Sequence, residues 1–407
     1  MTTQAIQLPP YPWFDLNKQC PLDPPPVLSA LRAEEPVARI RMKMFGNDAW
    51  LLTRYEDGRF VLGDPRFAAD RRLANFPHVG PPRTIFPGNF VHIDPPGHTR
   101  LRRMVSRGFT ARLVEQLRPK IEEFTEKLIA EFTRDAQSAD LKEQLCLPLP
   151  IWVICELLGV PFTEKEYFPA VTALIQPKNS TPEAVKQTLA AAFAHMGELV
   201  AAKKQNPGDD LISLLATSYE ADGELSAEEL VGISLALMLG AFETTSNMMA
   251  LAVLLLLEHP GQLAELKADP ALARSAIEEV LRFITVVHTG LPRIATEDVM
   301  IGDQMIRAGE GVIVSLAAAN RDGAVFPDPD QFDIHRFEGS AEEKHHLAFG
   351  FGIKQCVGQM LARAQLQVMV TTLFRCLPGL RLAVPFDEVP FRHDMSLYGV
   401  HHLPVTW

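Results

Sequence analysis

Apolar residues recur at helical spacing through most of the chain between Asp57 and Ala268. The longest such segment follows Ser226, which forms a capping-box pattern with Glu229, and it continues to about Glu258. Its main polar interruption lies in the middle, at residues 243–247. A helix of this length and apolar character has to be buried along most of its surface. The pattern therefore predicts a long helix that crosses the centre of the fold.

Other segments have the β-branched or alternating pattern of strands, namely residues 37–44, 48–54, 299–301, 304–306 and 312–316. The dipeptides Gly46-Asn47 and Gly302-Asp303 separate neighbouring segments, as in hairpins. A last helix follows Gly358, and we predict a strand-rich tail after it. Because helical and strand-like segments interleave, the sequence predicts one mainly α domain over residues 1–407. Its smaller β-rich parts are expected at about 37–55, at 285–320 and in the C-terminal tail.

Charge and cysteine content restrict the class of protein further. The 407 residues carry a formal net charge of -11, which argues against nucleic acid as a partner. The five cysteines do not form the dense pattern of a disulfide framework and indicate a reducing compartment. No signal-peptide pattern and no uninterrupted apolar run of about 20 residues is apparent. We expect a soluble cytoplasmic protein that acts as a monomer, with neither membrane nor nucleic acid as a partner.

The segment from Phe349 to Gly358 places three glycines around Cys356 and precedes a helix. Glycines let the backbone approach a flat or bulky group, and the start of a helix lowers the pKa of a nearby thiol. A single thiolate suits an axial haem position better than zinc or an iron–sulfur cluster. Two other interpretations are a buried structural cysteine and a cysteine nucleophile, although no base is evident nearby in the sequence.

This segment resembles the haem-binding signature of the cytochromes P-450, in its soluble bacterial class, through Phe349, Gly352, Cys356 and Gly358. The resemblance implies the cytochrome P-450 fold, with the long central helix over a haem b whose iron Cys356 binds. It also implies that Phe349, Gly350 and Gly358 border the haem. The family usually has histidine or arginine where this chain has Lys354, which would pair with a haem propionate as a point charge.

Polar residues in the middle of the long apolar helix require an explanation, because burying them is costly. Thr244 and Thr245 can bond back to carbonyls one turn earlier and bend the helix, which would be a purely structural role. By resemblance to the family, Glu243 and Thr244 instead deliver protons to dioxygen during catalysis. Ala241 stands where the family often has glycine, and Phe242 is a bulky neighbour.

Two groups of charged residues match anchors of the family. Glu279 and Arg282 are one helical turn apart, a spacing that is also common in exposed helix pairs of small energetic effect. The resemblance implies an internal pair that supports the cysteine loop. In the family, an arginine usually joins this pair as a third member. The matching residue in this chain is Gln331, so Arg336 is the candidate substitute.

His98 and Arg102 lie four residues apart and share one face of a predicted helix. A solvated basic helix would have the same spacing. By resemblance, His98, Arg102, Arg293 and Lys354 bind the haem propionates, since a buried dicarboxylate requires cationic partners.

The resemblance also places the substrate beside a mostly apolar set of residues: Phe90, Ala241, Phe242, Val286, Val287, His288 and Leu397. It implies a haem-thiolate monooxygenase that inserts one oxygen atom from O2 into an apolar or amphipathic small molecule. Electrons would come from NAD(P)H through a ferredoxin and its ferredoxin reductase. Two alternatives are a haem-thiolate nitric oxide reductase that uses NAD(P)H directly and a non-catalytic haem sensor or carrier.

Overall fold

The computed structural model describes residues 11, 20–43, 46–79, 85–175, 181–339, 345–393, 395 and 397–407. Helices dominate this part of the chain, as predicted. The helices are α1 (Pro26–Glu34), α2 (Tyr55–Gly63), α3 (Gly97–Val105), α4 (Ala111–Thr133), α5 (Pro148–Leu158), α6 (Tyr167–Ile175), α7 (Pro182–Gln205), α8 (Leu211–Leu215), α9 (Ala227–Leu257), α10 (Pro260–Ala268), α11 (Ala273–Phe283), α12 (Leu316–Ala319) and α13 (Gln359–Cys376). The strands are β1 (Val37–Arg41), β2 (Asp48–Leu52), β3 (Phe67–Ala68), β4 (Ser138–Asp140), β5 (Leu291–Ala295), β6 (Val299–Ile301), β7 (Gln304–Ile306), β8 (Gly311–Val314), β9 (Arg381–Leu382) and β10 (Pro404–Thr406).

The predicted central helix is α9, which has 31 residues and begins with both hydrogen bonds of a capping box. The Ser226 hydroxyl accepts from the Glu229 N–H at 3.1 Å, and the Glu229 carboxylate accepts from the Ser226 N–H at 3.0 Å. The helix packs against α5, α7 and α13. It is long and apolar enough to cross a membrane, but 78% of its most apolar window is buried inside the protein. This burial is typical of the core helix of a soluble protein.

The main sheet has five strands in the order β1-β2-β8-β5-β3. The two predicted strands at its edge pair antiparallel, with Val37 opposite Leu52, and β2 runs parallel to β8. The predicted hairpin of β6 and β7 is also present. The strand predicted at 312–316 ends at Val314, because Ser315 caps α12 by accepting a hydrogen bond from the Ala318 N–H. This sheet carries Arg293, on β5, towards the site described below.

The prediction of a strand-rich tail is wrong for the described residues after α13. They contain only the short strands β9 and β10 and an isolated bridge between Phe391 and Val400. Pro378, Pro385 and Pro390 divide this segment, and each removes a backbone donor that a sheet ladder requires. The tail therefore crosses the surface of the helical core mainly as irregular chain, and it brings Arg392 against α9.

Candidate active site

A cavity of about 400 Å³ lies between α9, the loop that precedes α13, α3 and β5. Its volume falls in the range of about 300–1,000 Å³ that is usual for small-molecule sites. Most of its lining side chains are apolar, with a minority of cationic and hydroxyl groups. Cys356 and Thr244, which the sequence singled out on separate elements, both border this cavity.

One face of α9 forms a wall of the cavity. The residues that line it recur every three or four positions: Ala236, Leu237, Gly240, Ala241, Thr244, Thr245 and Met248. The Thr244 hydroxyl donates to the Gly240 carbonyl oxygen at 3.1 Å. Thr244 therefore combines the hydrogen bond to an earlier carbonyl with a position on the cavity wall.

Two predicted site residues of α9 do not face the cavity. Phe242 and Glu243 follow Ala241 and precede Thr244, so each is rotated by about 100° from the lining face. Phe242 packs in the hydrophobic core with 1% of its surface exposed. Glu243 and Thr244 are thus adjacent along the helix, but their side chains point in different directions.

The carboxylate of Glu243 belongs to a buried polar group behind α9. Arg392 donates to it at 2.8 Å and to the side-chain oxygen of Asn247 at 3.2 Å. Lys142 donates to the same Asn247 oxygen at 2.7 Å and to the Ser246 hydroxyl at 2.9 Å. Burial lowers the pKa of Lys142 to about 8. No local pattern indicates Lys142 or Arg392, since both are more than 100 residues away from their partners.

The cysteine loop is shaped by glycine and by one backbone hydrogen bond. Gly350 and Gly352 have positive φ angles of 71° and 73°. A Cβ atom at Gly352 would lie 2.6 Å from the Leu62 carbonyl oxygen, so no larger residue fits there without displacement. The Cys356 N–H donates to the Phe349 carbonyl oxygen at 2.9 Å, which closes the loop.

Cys356 is an exposed free cysteine that lines the cavity. Burial raises the pKa of the Cys356 thiol, while the Gly358 N–H and the charges of Arg102 and Arg363 lower it. A sulfur held at the edge of a cavity by a backbone loop can bind a metal ion that enters the cavity. No second cysteine lines the cavity among the described residues, which favours an axial haem position over a zinc or iron–sulfur site.

The four predicted propionate-binding residues, His98, Arg102, Arg293 and Lys354, all line the cavity. Burial lowers the pKa of Arg293 to about 10 and that of Lys354 to about 8. Burial also lowers the pKa of His98 to about 4, so that this ring is neutral near pH 7. Lys354 lies 3.4 Å from an Asp94 carboxylate oxygen and donates to the Ile93 carbonyl oxygen.

Two of these cations have no anionic partner among the residues that the structure describes. In the described part of the chain, neither Arg102 nor Arg293 lies within ion-pair distance of a carboxylate, and Arg293 donates only to the Pro292 carbonyl oxygen. The buried Nδ1 atom of His98 also has no hydrogen-bond partner among the described residues. Arg293 is buried and Arg102 is partly buried, and cations in such positions are costly without a counter-ion, so this wall suits a ligand with carboxylate groups. A haem, with its two propionates, fits the donors present.

Among the other predicted wall residues, Phe90, Val286 and Val287 line the cavity, as do Phe349, Gly350 and Gly358. His288 and Leu397 do not. The Nε2 atom of His288 lies 2.6 Å from the Met395 carbonyl oxygen, and its ring borders a separate small cavity. Leu397 packs against the hydrophobic core. His288 lies in a turn and Leu397 in a bend, where no helical or strand periodicity indicates the direction of a side chain.

Sequence reasoning missed several polar residues of the lining, in particular Arg71, His92, Thr285 and Gln365. Arg71 lies in a turn before the Pro- and Gly-rich loop, and His92 ends a short 3-10 helix after it. Gln365 could have been found from its helical spacing, since it lies two turns beyond Gly358 on α13.

Glu279 and Arg282 form a buried ion pair rather than an exposed one. Arg282 donates to both carboxylate oxygens, at 2.7 Å and 2.8 Å, and neither side chain is exposed. Arg336 donates to the same oxygens at 3.1 Å, so it occupies the position that was predicted for it. The backbone oxygen of Gln331 accepts from both arginines.

Comparison with known proteins agrees with this geometry. Residues 162–378 match the family described as Cytochrome P450. The chain is 44% identical to Cytochrome P450-SU2 of Streptomyces griseolus, over 95% of this chain and 94% of that protein. It is 39% identical to the vitamin D3 dihydroxylase of Streptomyces griseolus, over 97% of each. The crystal structure of CYP105P1 in complex with filipin I has a TM-score of 0.90 and 36% identity, and covers 98% of this chain and 99% of that one.

The chain therefore belongs to the cytochrome P450 family. It is a haem-thiolate monooxygenase, in agreement with relatives that are named as hydroxylases, oxygenases and epoxidases. A non-catalytic haem sensor or carrier, one of the alternatives left open by the sequence, does not agree with these relatives. The protein acts on small molecules with O2 and takes electrons from redox partners, as the family does.

Proposed function

We propose that this enzyme inserts one oxygen atom from O2 into an apolar or amphipathic small organic molecule, with haem b bound at Cys356. The observation that carries the proposal is that Cys356 and Thr244 border one mostly apolar cavity of about 400 Å³. Apolar walls with a few convergent polar groups favour a ligand of the same character. Relatives named for vitamin D3 and mycinamicin IV act on small organic molecules.

The chain would hold the haem through two sets of residues. Cys356 would bind the iron, while Phe349, Gly350 and Gly358, which line the cavity, would border the ring. Arg102, Arg293 and Lys354 would pair with the propionates, and neutral His98 would contribute a hydrogen bond. The haem supplies O2 activation, which electron donation from a thiolate ligand favours.

Thr244 is the group of the chain best placed to hold a proton beside the substrate. Its hydroxyl borders the cavity while it donates to Gly240 within the helix. Glu243 would supply protons from the far side of α9, where Arg392 holds its carboxylate. Proton transfer from Glu243 to Thr244 then requires one of two things. Either the Glu243 carboxylate leaves Arg392, or the proton follows a route along the helix.

The electron donor we propose is a ferredoxin, reduced by NAD(P)H through a ferredoxin reductase. A haem iron accepts one electron at a time, whereas a nicotinamide donates a hydride. A one-electron carrier therefore suits this site better than NAD(P)H itself.

We propose that the protein is a cytoplasmic monomer. The burial of α9 in the core supports the proposed location in the cytoplasm rather than in a membrane.

A titration of the ferric enzyme with a library of apolar and amphipathic metabolites tests the proposed substrate class. Ligands that fill the cavity should shift the haem towards the high-spin state, and a matched set of charged metabolites should not. The best ligand should then yield an oxygenated product with ferredoxin, its reductase and NADPH. Spin-state shifts confined to charged compounds would contradict the proposal.

Replacing Lys354 with alanine should weaken haem retention, because a buried propionate would lose a cationic partner. We expect the haem dissociation constant to rise about tenfold, which corresponds to about 1.4 kcal/mol. Haem transfer to excess apomyoglobin measures this. Lys127→Ala, on the exposed surface of α4, is the control and should leave retention unchanged. Equal transfer rates for both variants would remove Lys354 from the propionate site.

A further inference from the structure

Two adjacent carboxylates of α11 have different partners. Glu279 pairs with Arg282 and Arg336, as described above. Glu278 instead reaches Arg363 of α13, the helix that begins directly after the cysteine loop. Arg363 donates to the two Glu278 oxygens at 2.6 Å and 3.0 Å, which is a bidentate pairing. The second pair therefore ties α11 to the helix behind Cys356.

The guanidinium of Arg363 also lies over the ring of Phe349, with 4.6 Å between its central carbon and the ring centroid. This distance is typical of a cation–π contact. Phe349 is the residue whose carbonyl oxygen accepts the N–H of Cys356. Arg363 thus contacts the ring of the residue that closes the cysteine loop, and its orientation is set by Glu278.

His346 completes this group of side chains. Its Nε2 atom lies 3.2 Å from a Glu278 oxygen, and its side chain is 1% exposed. Its Nδ1 atom accepts from the Ala348 N–H at 3.2 Å, so the ring proton lies on Nε2, towards Glu278. Burial lowers the pKa of His346, which keeps the ring neutral near pH 7. His346 therefore carries no charge and leaves the charge balance to Glu278 and Arg363.

Glu278 carries a negative charge under all ordinary conditions. Burial raises the pKa of its carboxyl, but the contacts with His346 and Arg363 outweigh this and lower the pKa to about 2. The pair as a whole is then neutral, although each charge is only partly exposed, at 19% and 24% of the side chain. The charge of either member would act on the cysteine loop if the other were removed, because partly buried charges are weakly screened.

We propose that Glu278 and Arg363 are positioning residues that hold the Phe349 ring against the cysteine loop and balance the electrostatic potential at the Cys356 sulfur, and that they thereby set the reduction potential of the haem iron. This inference rests on the proposed binding of haem at Cys356. Neither residue lines the cavity, so neither is a substrate or haem contact.

The electrostatic argument gives opposite signs for the two single variants. Reduction of the iron adds an electron, so it is favoured by positive charge and opposed by negative charge nearby. Glu278→Gln leaves Arg363 without its counter-ion and should raise the midpoint potential. Arg363→Gln leaves Glu278 without its counter-ion and should lower it. The double variant restores neutrality and should return most of the way to the wild-type value.

A redox titration of the ferric/ferrous couple in the haem-loaded enzyme tests this inference. We expect each single variant to change the ferric-to-ferrous ratio at fixed potential by about tenfold, which is about 59 mV for one electron. Arg375→Gln is the control, since Arg375 lies on the same helix and pairs with Glu122 and Glu126 at the surface. The control should leave the potential unchanged.

Shifts of the same sign in both single variants, or no shift in either, would overturn the inference. If Arg363→Gln does not retain haem, Glu278→Gln still decides the inference, because a midpoint potential that is unchanged or lowered in that variant contradicts it. The carbon monoxide spectrum of each reduced variant should keep its thiolate-type band. A wild-type enzyme without that band would contradict haem binding at Cys356 instead, so the two failures are distinguishable.

Discussion

Replacing Cys356 with alanine should abolish oxygenation of any substrate found by the spin-state titration. The sulfur borders the cavity, and no other cysteine among the described residues does so. The variant should also lose the red-shifted carbon monoxide band, because the thiolate is the ligand that produces it. Product analysis with a ferredoxin, its reductase and NADPH measures the first effect, and absorption spectroscopy measures the second.

Cys376→Ala is the matched control for this experiment. Cys376 is an exposed free cysteine at the last residue of α13, well separated along the helix from the loop. The control variant should keep both the band and the activity. Oxygenation that survives in Cys356→Ala, or is lost equally in both variants, would show that the assignment of the iron ligand is wrong.

Replacing Thr244 with alanine should separate electron consumption from product formation. The variant keeps the cavity and the cysteine loop, so NADPH and O2 should still be consumed. Without the hydroxyl on the cavity face of α9, proton delivery should fail, and more of the electrons should appear as peroxide or water. We expect product per NADPH to fall by up to about a hundredfold, the lower end of what positioned proton transfer contributes.

Thr371→Ala provides a control with the same local chemistry. The Thr371 hydroxyl donates to the Gln367 carbonyl oxygen at 3.0 Å, one turn earlier on α13, in the way that Thr244 donates to Gly240. Thr371 does not line the cavity. Its variant should therefore keep the wild-type ratio of product to NADPH. An unchanged ratio in Thr244→Ala would favour a purely structural role for that hydroxyl.

Local patterns predicted the parts of the fold that local interactions form. The capping box at Ser226 and Glu229 marked the start of α9, and the apolar run after it predicted a buried helix. The Gly302-Asp303 turn predicted the β6–β7 hairpin. The glycines around Cys356 indicated a backbone that approaches a flat or bulky group, and two of them have positive φ angles. Each of these features depends on residues that are close in sequence.

Sequence patterns did not place the side chains whose direction or partners depend on distant parts of the chain. Glu243 adjoins Thr244 in sequence, but helical rotation turns its side chain about 100° away from the cavity wall, where Arg392 binds it. Arg392 comes from the irregular tail, and no local pattern connects it with α9. Arg363 likewise reaches Glu278 across 85 positions of sequence. Contacts at such separations follow from the packing of α9, α11 and α13 rather than from any one segment.

The absorption spectrum of the reduced wild-type enzyme with carbon monoxide tests the central claim most directly. A cysteine thiolate on the iron predicts a strongly red-shifted Soret band, which should appear in the protein purified with its haem. A spectrum of the kind that histidine-ligated haem proteins produce, or the absence of bound haem, would contradict the claim that Cys356 holds the iron.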